Sequence, residues 1–269
     1  MLLLCKTMEG LMQLLEKSNK YDLSSIDDTK FNYALRYAVT HGYVQATRQL
    51  LKCEHDISSE VFVDACGRGN IEIAELLLAD HRVNPNEYIG SLYASSGIES
   101  AVFCGHIKVV KLLLNDSRVD PNIRNGGALI IAAESGRANI IACFAADKRV
   151  IGKDHALAVA LKQHDAMSVE VLLNAGVKLT ERKFLHYLTG FEKRKNIFTG
   201  IKSTVENHAE CIAVILNYFH INLEFYLSVK LRISKEVNRV LIRHMVRYYW
   251  AAREICQNNL NMDLLKLLL

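Results

Sequence analysis

One spacing recurs along this chain: an Ala, a Gly four residues later, and a pair of apolar residues eight and nine positions after the Gly. It is clearest in Ala101–Leu114, with Gly105 and Leu113-Leu114. Earlier copies are Ala38, Gly42, Leu50-Leu51 and Ala65, Gly69, Leu77-Leu78. Later copies are Ala132, Gly136, Phe144-Ala145, which is weaker, and Ala160, His164, Leu172-Leu173, which lacks the Gly. Three residues before each Ala stands Leu35, Phe62, Ile98, Leu129 or Leu157, always apolar. Successive Gly positions lie 27, 36, 31 and 28 residues apart. Periods of this size mark a stack of small units, each unable to bury its apolar face alone.

The spacing within a unit predicts two helices. Apolar residues at helical intervals precede the Gly and make a short first helix. The Gly ends it, where a positive φ costs least. Ile107–Leu114 then has the pattern of a second helix. The recurring Ala lets the two helices approach closely, and the paired apolar residues fill the seam to the next unit. Between units, Asp80-His81-Arg82-Val83-Asn84-Pro85-Asn86 and Asp116-Ser117-Arg118-Val119-Asp120-Pro121-Asn122 agree at five of seven places, with a shortened form at Asp147–Val150. These are turn residues after a helical Leu run.

Gly105-His106-Ile107 followed by Leu112-Leu113-Leu114, with the same frame at Gly42-Tyr43-Val44 and Gly69-Asn70-Ile71, resembles the ankyrin repeat over about residues 31–176. The resemblance implies an all-α solenoid whose first helices and hairpin tips line a concave groove that holds another protein. The family's Thr-Pro-Leu-His opening is missing; Tyr33-Ala34-Leu35 and Gly127-Ala128-Leu129 replace it, so helix starts are expected to be looser. About five extra residues within Glu87–Ser100 predict a distorted hairpin or a lengthened first helix. The hairpin sequence is similar to arrays of amoeba-associated bacteria and giant viruses.

Extended outward, the frame reaches Leu11–Leu15 as a second helix and Asn207–Leu216, where Asn replaces the Gly. Val240-Leu241 and Leu264–Leu269 would be further second helices, giving about eight or nine helix-turn-helix units. Thr180–Glu206, with Gly190 and Gly200, reads as an enlarged first helix with an insertion. The expected organisation is ankyrin repeats over 1–178 and divergent helical repeats over 179–269, the alternative for the latter being a separate helical domain.

Half of the residues are apolar, with 2 Pro and no low-complexity stretch. The seven cysteines are odd in number and form no CxxC pair, which suits a reducing, intracellular setting. The apolar run at the start is too short for a secretory signal, and no segment reaches the ~18 apolar residues of a membrane span. No phosphate-binding loop, GxSxG or HExxH is present, so no catalytic residue, cofactor or metal site is expected. Cys104 and His106, or Cys53 and His55, are too few to make a zinc site.

In the family's pattern, the two residues before the repeat Gly face the groove. Here they include Thr40 and His41, Arg68, Phe103, Glu134, and Lys162 and Gln163, which differ between copies while the Ala positions do not. Tyr88, Arg124 and Asn125 belong to hairpin tips. Phe103 and Arg68 are the best anchors, aromatics and Arg being enriched at interfaces. A second candidate surface lies in residues 180–269, which hold 14 Lys/Arg against 8 Asp/Glu. There Arg239, Arg243 and Arg247 fall on one helical stripe, beside Tyr248, Tyr249 and Trp250, with Lys193–Lys195 a short basic run. The expected activity is protein binding by a monomeric, non-enzymatic, cytoplasmic module. The alternatives are a bacterial or viral effector engaging a host protein in the host cytosol, and a targeting arm for a basic domain that binds nucleic acid or acidic lipid.

Overall fold

The computed structural model describes residues 8–17, 27–90, 96–180, 182–184, 187, 201–218 and 237–244. Every regular element among them is a helix. The chain divides into two compact units, Met1–Gly152 and Lys153–Leu269.

The first unit contains α1 (Met8–Lys17), α2 (Asp28–His41), α3 (Val44–Leu50), α4 (Ser59–Arg68), α5 (Ile71–Ala79), α6 (Gly97–Cys104), α7 (Ile107–Asn115), α8 (Ile123–Glu134) and α9 (Ala138–Ala146). Each first helix packs on the second helix that follows it, as α2 on α3 and α4 on α5. First helices also pack in a row, α2–α4–α6–α8, and second helices in another, α1–α3–α5–α7–α9. This two-row arrangement is what the repeat spacing predicts, and α1 takes the place expected of a second helix.

Burial follows the repeat frame. Ala38, Ala65, Ala101 and Ala132 are fully buried, as are Leu35, Phe62, Ile98 and Leu129 within 2%. The first residue of each apolar pair, Leu50, Leu77, Leu113 or Phe144, enters the core. Gly42, Gly69, Gly105 and Gly136 end the first helices with φ of 77°, 75°, 83° and 62°, the left-handed conformation glycine adopts most easily.

Without the Pro, two of the first helices, α2 and α6, start on side-chain caps, whereas α4 and α8 have none. The Asp27 carboxylate accepts from the Lys30 N–H at 3.0 Å, and Ser96 caps α6 through the Glu99 N–H. The start of α8 is broken: Arg124, Asn125 and Gly126 all have positive φ before the chain settles into the helix. The extra residues before α6 do not lengthen it, since it spans eight residues against fourteen in α2. They belong to the connection before Ser96, of which residues 91–95 are outside the described set.

In the second unit, α10 (Lys153–Gln163) and α11 (Ala166–Asn174) form another pair, and α12 (Ile201–Leu216) packs on α11. Leu157, Ala160 and Leu172 are buried as the frame requires. Asn207, expected at a turn equivalent to Gly105, instead lies inside α12. Asn enters the left-handed conformation less readily than glycine, so it permits a turn without enforcing one, and the helix runs through it. Residues 237–244 are also helical, with Val237 and Leu241 buried. Gly190, Gly200 and Leu264–Leu269 fall outside the described residues.

Candidate partner-binding surface

The surface begins with what holds one repeat to the next. In the hairpins, Asp80, Asp116 and Asp147 each fold back to accept from the backbone N–H two residues on, at Arg82, Arg118 and Arg149, and pair with that guanidinium. The paired Arg side chain holds the Asp80 and Asp116 carboxyls below the usual range. Each Arg then donates to carbonyls of the preceding repeat. Arg82 reaches Cys53, His55 and Leu51; Arg118 reaches Leu78; Arg149 reaches Leu114 and Val119. Asn side chains brace the other direction. Asn86 donates to the Arg118 carbonyl at 2.7 Å and accepts from the Asp120 N–H at 2.7 Å. Asn122 does the same with Arg149 and Ile151, and Asn32 with Asp56 and Ser58. In the sequence alone these residues read only as turn formers. The signal was there: a solvated turn has no need of Arg at the same place three times.

A second set of braces joins the ends of the first helices. His106 Nε2 donates to the Gly67 carbonyl at 2.9 Å, and Arg137 Nη2 to the Phe103 carbonyl at 2.9 Å. These side chains fill the space over the glycines. A Cβ on Gly69 would meet the His106 ring at 2.4 Å, and one on Gly105 the Arg137 guanidinium at 2.1 Å.

His41, Arg68, Phe103 and Glu134 are exposed at the ends of α2, α4, α6 and α8, and Thr40 is half-buried. Phe103 keeps 47% of its surface in water, a large exposure for an aromatic ring. His41 stacks on Tyr37 at 4.0 Å, with its Nδ1 on the Tyr37 carbonyl, and Thr40 donates to the same carbonyl. Arg36 joins adjacent first helices by pairing with Glu60 and with Asp64, the latter at 2.6 Å. At the hairpin tips, the Arg124 guanidinium lies 5.6 Å above the centre of the Tyr88 ring. Arg124 is also 3.6 Å from Oε1 of the fully buried Glu99, a residue the sequence did not single out. Asn125 is exposed beside it.

In the second unit, Lys162 and Gln163 are exposed at the end of α10. His164, which replaces the Gly, adopts φ 56° and hydrogen-bonds through Nδ1 to the Tyr187 hydroxyl at 3.0 Å. Tyr187 also hydrogen-bonds Cys211, whose thiol burial pushes up to about 11. Arg239 and Arg243 are exposed on the helical residues 237–244. Arg247, Tyr248, Tyr249, Trp250 and Lys193–Lys195 lie outside the described residues.

The Cys–His pairs have structural surroundings: His106 braces Gly67, and His55 Nδ1 meets Asp28 at 2.7 Å. Among the described residues no three His, Cys, Asp or Glu converge to hold a metal. No helix among them is long and apolar enough to cross a membrane.

The family model for ankyrin repeats, in three copies, matches residues 35–125. No curated protein matches the chain.

Proposed function

Starting from ankyrin repeats at residues 35–125, which are protein–protein interaction modules, we propose that this chain presents a groove and hairpin tips to an intracellular protein partner. One contrast carries the reading. The Ala and apolar positions of each copy are buried and alike, while the residues beside the repeat Gly are mostly exposed and differ from copy to copy. Identical buried positions build the frame, and the differing exposed ones are left to recognise a partner.

The partner lies along Thr40, His41, Arg68, Phe103 and Glu134, with Tyr88, Arg124 and Asn125 at the tips. Lys162 and Gln163 hold the corresponding place in their own repeat. Phe103 is the anchor, since an exposed ring brings a large apolar area at small entropic cost. The cross-repeat braces fix these positions before binding, so little ordering is needed on association. A specific interface of this kind buries about 1,600 Å² in total. The five cysteines among the described residues that carry free thiols suit a reducing compartment.

The test is affinity capture from the native host with wild type, Phe103→Ala and Arg68→Glu, each checked for intact folding by circular dichroism. A specific partner should be lost from Phe103→Ala by on the order of tenfold or more. Undiminished capture by both variants would remove the groove.

A further inference from the structure

Arg124 and Asn125 are two non-glycine residues in succession with φ of 55° and 57°, a conformation that costs an L residue free energy. Gly126 follows at φ 81°, and the tip rests against the next hairpin, where a Cβ on Gly126 would lie 3.6 Å from the Ile151 carbonyl oxygen. The turn carries the Arg124 guanidinium back over Tyr88 on the previous tip. Glu99 lies beneath, fully buried, in space that Gly127 leaves open, since a Cβ there would meet Glu99 Oε1 at 2.4 Å.

The separation of 3.6 Å between Arg124 Nη1 and Glu99 Oε1 is too long for a hydrogen bond. Glu99 therefore orients the guanidinium by charge without taking up its donors. With 48% of its side chain exposed, Arg124 presents part of a rigid five-donor fork to water. Tyr88, 52% exposed, offers apolar surface beneath it, and Ile151, 60% exposed, belongs to the next hairpin, whose backbone the tip rests against.

From this we infer that Arg124 is a preset docking point for a single carboxylate of a protein partner, an Asp or Glu side chain beside an apolar residue that packs on Tyr88 or Ile151. The inference rests on the protein-binding reading above and adds the chemistry of the partner. A carboxylate matches the fork geometry. A polyanion such as nucleic acid does not suit the place, because Glu87 and Asp120 are exposed on the same tips and would repel it.

The test is to pan a displayed library of random peptides against the whole chain. The comparison is the same chain carrying both Arg124→Gln and Glu99→Gln, which removes the two charges together and leaves no carboxylate buried beside a neutral group. Peptides enriched by the wild type should share one Asp or Glu next to an aliphatic or aromatic residue. Replacing that acid by its amide should weaken the synthetic peptide roughly tenfold or more. The double variant should bind more weakly by a similar factor, and the two losses should not add. Should the double variant not fold, Arg124→Lys serves instead: it keeps the charge, loses the fork, and should weaken the peptide several-fold. A consensus without carboxylate, or binding that either variant leaves unchanged, overturns the inference. If such peptides are instead lost with Phe103→Ala or Arg68→Glu, the protein-binding reading stands without it. No enrichment overturns the inference and counts against both.

Discussion

Gly105 shows how one residue answers two demands. Its φ of 83° asks for glycine, and so does the Arg137 guanidinium lying where a Cβ would go. Gly105→Ala must adopt a left-handed conformation and push Arg137 off the Phe103 carbonyl. The cost should be about 2–3 kcal/mol, part backbone and part lost hydrogen bond. Gly90, at φ 71° with nothing within 4 Å among the described residues, meets only the first demand, and Gly90→Ala should cost about 1–2 kcal/mol. Chemical denaturation of both variants separates the two terms.

The aspartates at the hairpins predict a dependence on pH. Folding lowers the pKa of Asp80 and Asp116, chiefly through the hydrogen bonds from Arg82 and Arg118. A carboxyl whose pKa falls on folding adds stability that is fully present above its unfolded value, about 3.9, and is lost as the pH drops through the folded value. These two groups should therefore leave stability level between pH 5 and 8 and reduce it below about pH 4. Denaturation of wild type and of Asp80→Asn with Asp116→Asn should converge at low pH, because protonation makes the wild type resemble the variant.

At the scale of helices, the repeat frame was legible because it is written in buried residues. Ala101, Leu113 and Ile98 recur for packing reasons, and packing alone dictates their type. Leu113→Ala should open a cavity between neighbouring second helices and cost about 2–5 kcal/mol. Ala132→Leu should overpack the joint of α8 and α9 and cost about 1–3 kcal/mol. Melting temperatures of the two variants check both.

What was not legible depends on contacts between residues some thirty positions apart. Asn86 reads as a turn residue in one hairpin, and only the neighbouring hairpin shows that both ends of its amide are used. Glu99 reads as an ordinary residue of a first helix, and its burial follows from Gly127 on the next helix. Asn207 failed for another reason: a Gly in the frame forces a turn, whereas an Asn permits one, and the apolar spacing of α12 continues across it. For the candidate surface, the sequence located the exposed ends of the first helices. It did not anticipate that Arg124 and Tyr88 would meet.

The two compact units each contain paired helices, and the first, Met1–Gly152, is the one whose repeats follow one another in two unbroken rows. In such a stack each repeat touches only its neighbours, so stability is a sum of local terms and disturbance should fade with distance. A globule with one shared core would spread the same disturbance everywhere. The cross-repeat Arg and Asn braces link adjacent hairpins and leave that expectation unchanged. It also bears on function, because a surface assembled from semi-independent repeats can vary residue by residue at the exposed positions without loss of the frame.

Native-state hydrogen exchange on the whole chain, wild type against Leu113→Ala, tests the stacking directly. Backbone amides of α6 through α9 should exchange markedly faster in the variant, with the effect falling off toward α2 and α3. An equal acceleration throughout residues 27–152 would mean a single shared core, and would contradict the stack of repeats on which the proposed binding surface is built.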